Sequence, residues 1–203
     1  MIRTLIAAGA IALGVSLPAL AANPKVELDT TAGKIVIELY PDAAPKTVAN
    51  FLEYVKAKHY DGTQFHRIID GFMIQAGGFT TDFRQKPTRP PVANEAEVAS
   101  KAGILNAPGT IAMARTSDPN SATAQFYINV ADNKSLNFRS PDPAGIGYTP
   151  FGKVVSGMDV VMKIAKSPKG GGKPIPPGTP MSPADVPSEP IVINRAAVVD
   201  SAK

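Results

Sequence analysis

Phe65-His66-Arg67-Ile68-Ile69-Asp70-Gly71-Phe72-Met73-Ile74-Gln75 is the stretch that decides how this chain is read. Short apolar segments at 63–68 and 73–77 have strand character, and Asp70-Gly71 between them suits a turn. On the second strand Met73 and Gln75 project to the same face. A core face would not hold a glutamine amide without partners, whereas a pocket wall with one hydrogen-bonding group would. The stretch contains no serine, no cysteine and one lone acid, Asp70. A site built here must work with a fixed cation, an apolar surface and a few hydrogen bonds. Most hydrolytic mechanisms are thereby excluded, and a reaction that breaks no covalent bond is favoured.

From this segment alone Arg67 has two readings. It is a rigid cation beside an apolar pocket, or an arginine that pairs with a carboxylate or caps an edge. Phe72 and Met73 are either core residues or pocket wall. A second segment repeats the pattern: in Gln125-Phe126-Tyr127-Ile128, Gln125 and Tyr127 share one face, and Phe126 and Ile128 the other. Two separate strands thus each present a glutamine beside an apolar group.

Alternation extends through the chain. Ile35, Ile37 and Leu39 share one strand face, opposite Lys34, Val36, Glu38 and Tyr40. Residues 30–33 read as a hairpin turn back to a strand carrying Val26 and Leu28. Further strands are expected at 109–114, 125–130, 151–155 and 191–199, nearly all separated by turn residues, which points to an antiparallel, closed or sandwiched sheet. Two helices interrupt it. One is expected to be capped by Asp42, with Pro45 in its first turn and Val48, Phe51, Leu52 and Val55 on one stripe. The other, over about 158–165, offers Val161, Ile164 and Ala165 to a core. Both read as plugs over the ends of a barrel. Residues 167–190 are rich in Pro and Gly and read as a surface loop of polyproline II character. Gly172-Lys173 within it lacks the flanking residues of a phosphate loop.

The 203-residue chain can bury a sizeable core, and 44% hydrophobic against 19% charged residues marks a folded rather than a disordered chain. With no cysteine there is neither a disulfide framework nor a thiol nucleophile. His59 and His66, the only histidines, lack a third ligand nearby and read as structural, so no metal site and no cofactor are expected. No Gly-x-Ser-x-Gly elbow occurs. The net charge of +4 is spread without a basic run, which argues against nucleic-acid binding.

The N-terminus reads as a secretory signal. Arg3 precedes an apolar run from Leu5 to Val15, Pro18 breaks it, and Ala19-Leu20-Ala21 supplies a small-x-small cleavage site. Residues 1–21 are expected to be removed, leaving 22–203 as one domain in the periplasm with no membrane attachment. An uncleaved anchor is the competing reading, disfavoured by Pro18 and the small alanines.

The stretch from Phe65 to Gly77 closely resembles the signature of cyclophilin-type peptidyl-prolyl cis/trans isomerases. Gly109-Thr110-Ile111-Ala112-Met113-Ala114, Ser121-Ala122-Thr123-Ala124-Gln125-Phe126-Tyr127-Ile128 and Phe151-Gly152-Lys153-Val154-Val155 resemble further blocks of that family, in the same order. The resemblance covers about 26–199. It implies a closed eight-stranded antiparallel β-barrel capped by two α-helices, with substrate proline on the outer face. It also implies that Arg67 is the catalytic arginine and that Phe72, Met73, Tyr127 and Leu136 line the proline pocket. Gln75 would bond the substrate backbone, Ala114 and Gln125 would contact the residue before proline, and Arg115 would offer its backbone. Tyr148 stands where eukaryotic members often have His, and Ser135 where they often have Trp. The loss of that Trp implies weak binding of cyclosporin. The expected partners are proline-containing unfolded or flexible polypeptides, handled by a monomer. A holdase gripping the same segments without turnover is the alternative, and the loop 167–190 could dock a partner or serve as a spacer.

Overall fold

Strands β1 (Lys25–Thr30) and β2 (Gly33–Leu39) form the expected hairpin, paired from Lys25↔Glu38 to Thr30↔Gly33. The alternation holds: Val26, Leu28, Ile35, Ile37 and Leu39 are fully buried, and the intervening residues are not. The computed structural model describes residues 22–170 and 181–199. The proposed signal at 1–21 and the middle of the Pro-rich loop therefore lie outside the described residues.

The other strands are β3 (Arg67–Ile69), β4 (Met73–Ala76), β5 (Thr110–Met113), β6 (Phe126–Asn129), β7 (Pro150–Ser156) and β8 (Ile193–Val199). All pair antiparallel, in the order β3-β4-β6-β5-β7-β2-β1-β8. The first strand expected at 63–68 is cut to three residues. Its leading residues divide their backbone bonds between neighbours: Gln64 N–H donates to Phe79 O at 2.9 Å and Phe65 N–H to Ile191 O at 2.8 Å. A strand of three residues cannot carry a ladder across to β8. The sheet is accordingly a curled half-barrel with β3 and β8 as its edges, not the closed barrel expected. Backbone bonds between 62–65 and 191–193, such as Ile193 N–H to Thr63 O at 2.8 Å, span the gap locally.

Among the described residues three α-helices, not two, pack with this sheet: α1 (Pro45–Lys56), α2 (Ala96–Lys101) and α3 (Met158–Ala165). Helix α3 buries Val161, Ile164 and Ala165 as expected. Helix α1 buries Val48, Phe51, Tyr54 and Val55. Phe51 lies at the centre of an aromatic cluster, with ring centroids 5.1 Å from Tyr60, 5.7 Å from Phe126 and 5.2 Å from Phe151. Helix α2 leaves almost no periodic signal in the sequence, because it has six residues and buries only Ala96 and Ala99.

The cap of α1 also differs from expectation. Pro45 does occupy the first turn, but the N-cap position is Ala44, and neither it nor Asp42 caps the helix. The free amides are met from a distance. The buried Glu95 carboxylate accepts from Lys46 N–H at 3.1 Å, Thr47 N–H at 2.8 Å and the Thr47 hydroxyl at 2.8 Å. A carboxylate at a helix N-terminus satisfies orphan donors and opposes the positive end of the dipole.

The described ends of the Pro-rich segment are tied to one another rather than free. Its base is zipped: Gly170 N–H donates to Val186 O at 3.0 Å and Ser188 N–H to Pro168 O at 2.8 Å. A short 3₁₀ turn, Pro183–Asp185, precedes the buried Val186.

Replacing Glu95 by Ala should lower stability by about 1–3 kcal/mol, since buried donors lose their acceptor. The check is urea unfolding, where the midpoint should fall with an unchanged m-value. An unshifted midpoint would deny Glu95 its capping role.

Candidate active site

The antiparallel register sorts two rows of side chains. Arg67 lies opposite Gln75, Gln75 opposite Tyr127, and Tyr127 opposite Ala112, across β3, β4, β6 and β5. The neighbouring row is Ile68, Ile74, Ile128 and Ile111, all fully buried. The isoleucines join the main core. On the opposite face Met73, Ala112 and Tyr127 form a separate apolar cluster, bordered by Ile69, Phe72, Ala114, Leu136 and Tyr148. Every site residue expected from the sequence lines one groove of about 600 Å³: Arg67, Phe72, Met73, Gln75, Ala114, Arg115, Gln125, Tyr127, Leu136 and Tyr148.

Several local devices build this groove. Gly71, at φ +70°, takes the left-handed conformation that turns β3 into β4. The two glutamines meet, Gln75 Nε2 donating to Gln125 Oε1 at 2.9 Å. Gly78 permits this, because a Cβ there would lie 2.6 Å from the Gln125 Cδ. Phe72 is held by its backbone: its carbonyl accepts from Asn133 Nδ2 at 2.9 Å and from Val130 N–H at 3.0 Å. Leu136 ends a 3₁₀ turn, Lys134–Leu136, and its carbonyl accepts from Tyr148 N–H at 2.9 Å.

Tyr127 carries a hydroxyl that a buried ring must satisfy. It donates to Asn106 Oδ1 at 2.8 Å. Burial, and secondarily the nearby Tyr148, raises its pKa well above the ordinary tyrosine value, so it stays a neutral donor. Asn106 is fully buried, and its Nδ2 donates to the carbonyls of Leu136 and Tyr148. One asparagine, which the sequence reading did not single out, thus ties together three residues of the apolar wall.

The Arg115 side chain has work of its own beyond the backbone role expected. Its guanidinium stacks 4.3 Å from the Tyr148 ring centroid. It donates from Nε at 3.1 Å and from Nη2 at 3.0 Å to Gly147 O, and from Nη1 at 2.9 Å to Thr116 O. Arg115 therefore clamps the segment that presents Tyr148. The Tyr148 ring in turn meets Tyr127 edge-on, with centroids 6.0 Å apart.

Arg67 combines a carboxylate partner with a place beside the groove. Its Nε donates to Asp185 Oδ2 at 3.3 Å, so it is paired with a carboxylate at the sheet edge. Among the described residues nothing bonds its terminal nitrogens, and the side chain borders the groove. Asp185 and Met181, which also lines the groove, come from the Pro-rich segment. Nothing in a proline-rich stretch of sequence marks one aspartate as the partner of an arginine 118 positions away.

His66 is buried, packs edge-on to Phe79 at 4.9 Å, and leaves Nδ1 without a partner. Burial pushes its pKa down from 6.5 to about 4, against the Gln64 backbone and Gln125 side chain, which favour the proton. His59 is also buried, with Nε2 3.1 Å from Gly77 O. Among the described residues no group of three or more His, Cys, Asp or Glu side chains could hold a metal ion.

The family model for cyclophilin type peptidyl-prolyl cis-trans isomerases matches residues 25–198. The chain is 52% identical over 174 residues to the peptidyl-prolyl cis-trans isomerase cyp18 of Streptomyces antibioticus, covering 86% of this chain and 98% of that one. It is 47% identical over 173 residues to peptidyl-prolyl cis-trans isomerase B of Escherichia coli K12, covering 85% and 98%. In fold it is similar to a crystal structure of a cyclophilin type isomerase from Cryptosporidium parvum, with a TM-score of 0.67 at 22% identity, covering 89% of this chain and 99% of that one. The chain belongs to the cyclophilin-type peptidyl-prolyl cis-trans isomerase family. It is an enzyme of that class, a peptidyl-prolyl cis-trans isomerase.

The His66 shift has a consequence for stability. Between pH 6.5 and about 4 the unfolded chain takes up a proton that the folded chain refuses, so acid favours unfolding. Stability should fall across that window by about 3 kcal/mol at most on account of this group. His66→Gln should flatten that part of the pH dependence in urea unfolding. An equal slope in the variant would show that the drop arises elsewhere.

Proposed function

We propose that the groove on the outer face of β3, β4, β5 and β6 is the isomerase site and that Arg67 is its catalytic residue. The observation that carries this reading is the arrangement in the groove: a cation whose terminal donors are unengaged among the described residues, a glutamine pair and an apolar cluster, side by side. Phe72, Met73, Tyr127 and Leu136 would receive the proline ring, with Tyr148 closing the far side. Gln75 would bond the substrate backbone. Ala114 and Gln125 would flank the preceding residue, and Arg115 would offer its backbone there.

The chemistry follows from the bond to be turned. Rotation about an X–Pro amide faces a barrier of about 20 kcal/mol, set by resonance between the nitrogen lone pair and the carbonyl. A catalyst must favour the twisted state, in which that lone pair is localised on a pyramidal nitrogen. A guanidinium Nη–H can donate to this nitrogen, and does so only as the twist develops. Arginine suits the task because it keeps its charge at every working pH and its donors form a rigid fork. The apolar wall excludes water and so strengthens the donor. Holding one side of the bond leaves the other side to rotate. A 10⁵-fold acceleration needs about 7 kcal/mol of differential stabilisation. One preorganised donor supplies about 3–4 of that, and orientation supplies the remainder.

Arg67→Ala should therefore lower kcat/KM by about 10²–10³-fold. Exchange NMR on an X–Pro peptide measures this directly, and an undiminished rate would remove Arg67 from the mechanism. Turnover at catalytic amounts of enzyme also separates an isomerase from a holdase.

We further propose that the substrates are proline-containing segments of exported, incompletely folded proteins, met in the periplasm by a monomer. The signal-like character of residues 1–21 supports this. Mature protein from the periplasmic fraction should begin at Ala22. Recovery of the whole chain in the membrane fraction would favour an anchor. Ser135, exposed beside Leu136, offers no ring to a macrocycle, which supports weak cyclosporin binding. Inhibition titration and size-exclusion chromatography read these last two points.

A further inference from the structure

We propose that Asp185 is a positioning residue for Arg67, and that the turn Pro183–Asp185 is thereby part of the catalytic apparatus. The inference rests on the reading of Arg67 as the catalytic donor.

Arg67 opens β3, which is an edge strand of three residues. It has a cross-strand neighbour, Gln75, on one side only. A long side chain at such an edge has many rotamers, and a donor that must meet a twisted amide cannot wander. Asp185 supplies the missing constraint. Its carboxylate takes Nε, the one guanidinium nitrogen attached to the side-chain stem. Because the guanidinium is planar, fixing Nε fixes the plane in which both Nη groups lie. A bond to the Nη groups would consume the donors that substrate needs; a bond to Nε leaves them available.

Asp185 is itself held in place. It ends the 3₁₀ turn Pro183–Asp185, where Ser182 Oγ accepts from Ala184 N–H at 3.3 Å and Ser182 O accepts from Asp185 N–H at 3.0 Å. The next residue, Val186, is buried, and its carbonyl accepts from Gly170 N–H on the outgoing arm of the segment. Pro183 and Pro187 restrict the backbone on both sides. The carboxylate is thus mounted on an anchored turn, while Met181, earlier on the same segment, borders the groove.

The pair is partly exposed, with side-chain accessibilities of 37% for Arg67 and 26% for Asp185. Its worth as an ion pair is accordingly small. The effect to expect is geometric, a loss of orientation and not of charge.

The test is exchange NMR on an X–Pro peptide, read as kcat and KM separately, with four proteins: wild type, Asp185→Ala, Asp185→Asn and the double variant with Arg67→Ala. Asp185→Ala should lower kcat by about 3–10-fold with KM within about twofold. Asp185→Asn, which keeps an acceptor oxygen, should retain most of the rate and guards against a general loss of folding. In the Arg67→Ala background Asp185→Ala should have no further effect. The Arg67 Nε–H resonance should sharpen and exchange slowly only where residue 185 offers an acceptor. An unchanged kcat in Asp185→Ala, or an equal loss with Arg67 already removed, overturns the proposal while leaving the assignment of Arg67 intact. A full rate in Arg67→Ala alone overturns both.

Discussion

The period of two in a pleated strand governs both halves of this molecule. In β3, β4, β5 and β6 each core isoleucine has a groove residue as its chain neighbour: Ile68 beside Arg67, Ile74 beside Gln75, Ile128 beside Tyr127, Ile111 beside Ala112. Burying each isoleucine is worth about 1.5–3 kcal/mol. A register slip by one residue would turn all four outward and the site residues inward. The hydrophobic core therefore holds the register, and the register holds the site. Arg67, Met73, Gln75 and Tyr127 are placed in the groove directly by strands in this way.

Parts of the groove that strands do not place are secured by individual polar bonds. Asn106 links Tyr127 to the Leu136 and Tyr148 segments, and Arg115 clamps Gly147 and Tyr148. Gln75 and Gln125 satisfy one another in part, Gln75 Nε2 donating to Gln125 Oε1. The arrangement separates duties. Apolar side chains line the cavity, and a small set of anchored polar groups borders it. Such a division suits a reaction whose barrier is resonance, since no bond is made or broken and no proton needs a carrier.

The sequence was most readable where signals are local. Alternation located the strands, and helical spacing found α1 and α3. Failures occurred where a local signal was weak or a distant group took over. Helix α2 is too short to show a period. The amides at the start of α1 are served by Glu95, some fifty positions onward, and not by Asp42. The segment 167–190 shows the same limit. Proline content describes its backbone, but not that Asp185 at its end meets Arg67.

The residue types needed for the chemistry were present in the sequence by itself: a cation without a nucleophile, glutamines sharing faces with apolar groups, and a chain order of motifs resembling one enzyme family. Side-chain alternation and turn preference depend on neighbouring dihedral angles, so they can be read from neighbouring letters. Tertiary structure alone decided that Gln75 meets Gln125, that Tyr127 finds Asn106, that the sheet stops as a half-barrel, and that Arg67 is paired with Asp185 while bordering the groove. These outcomes depend on hydrogen bonds and packing between segments far apart in the chain. Their partners are chosen by how the whole core closes, and no short stretch of sequence carries that information.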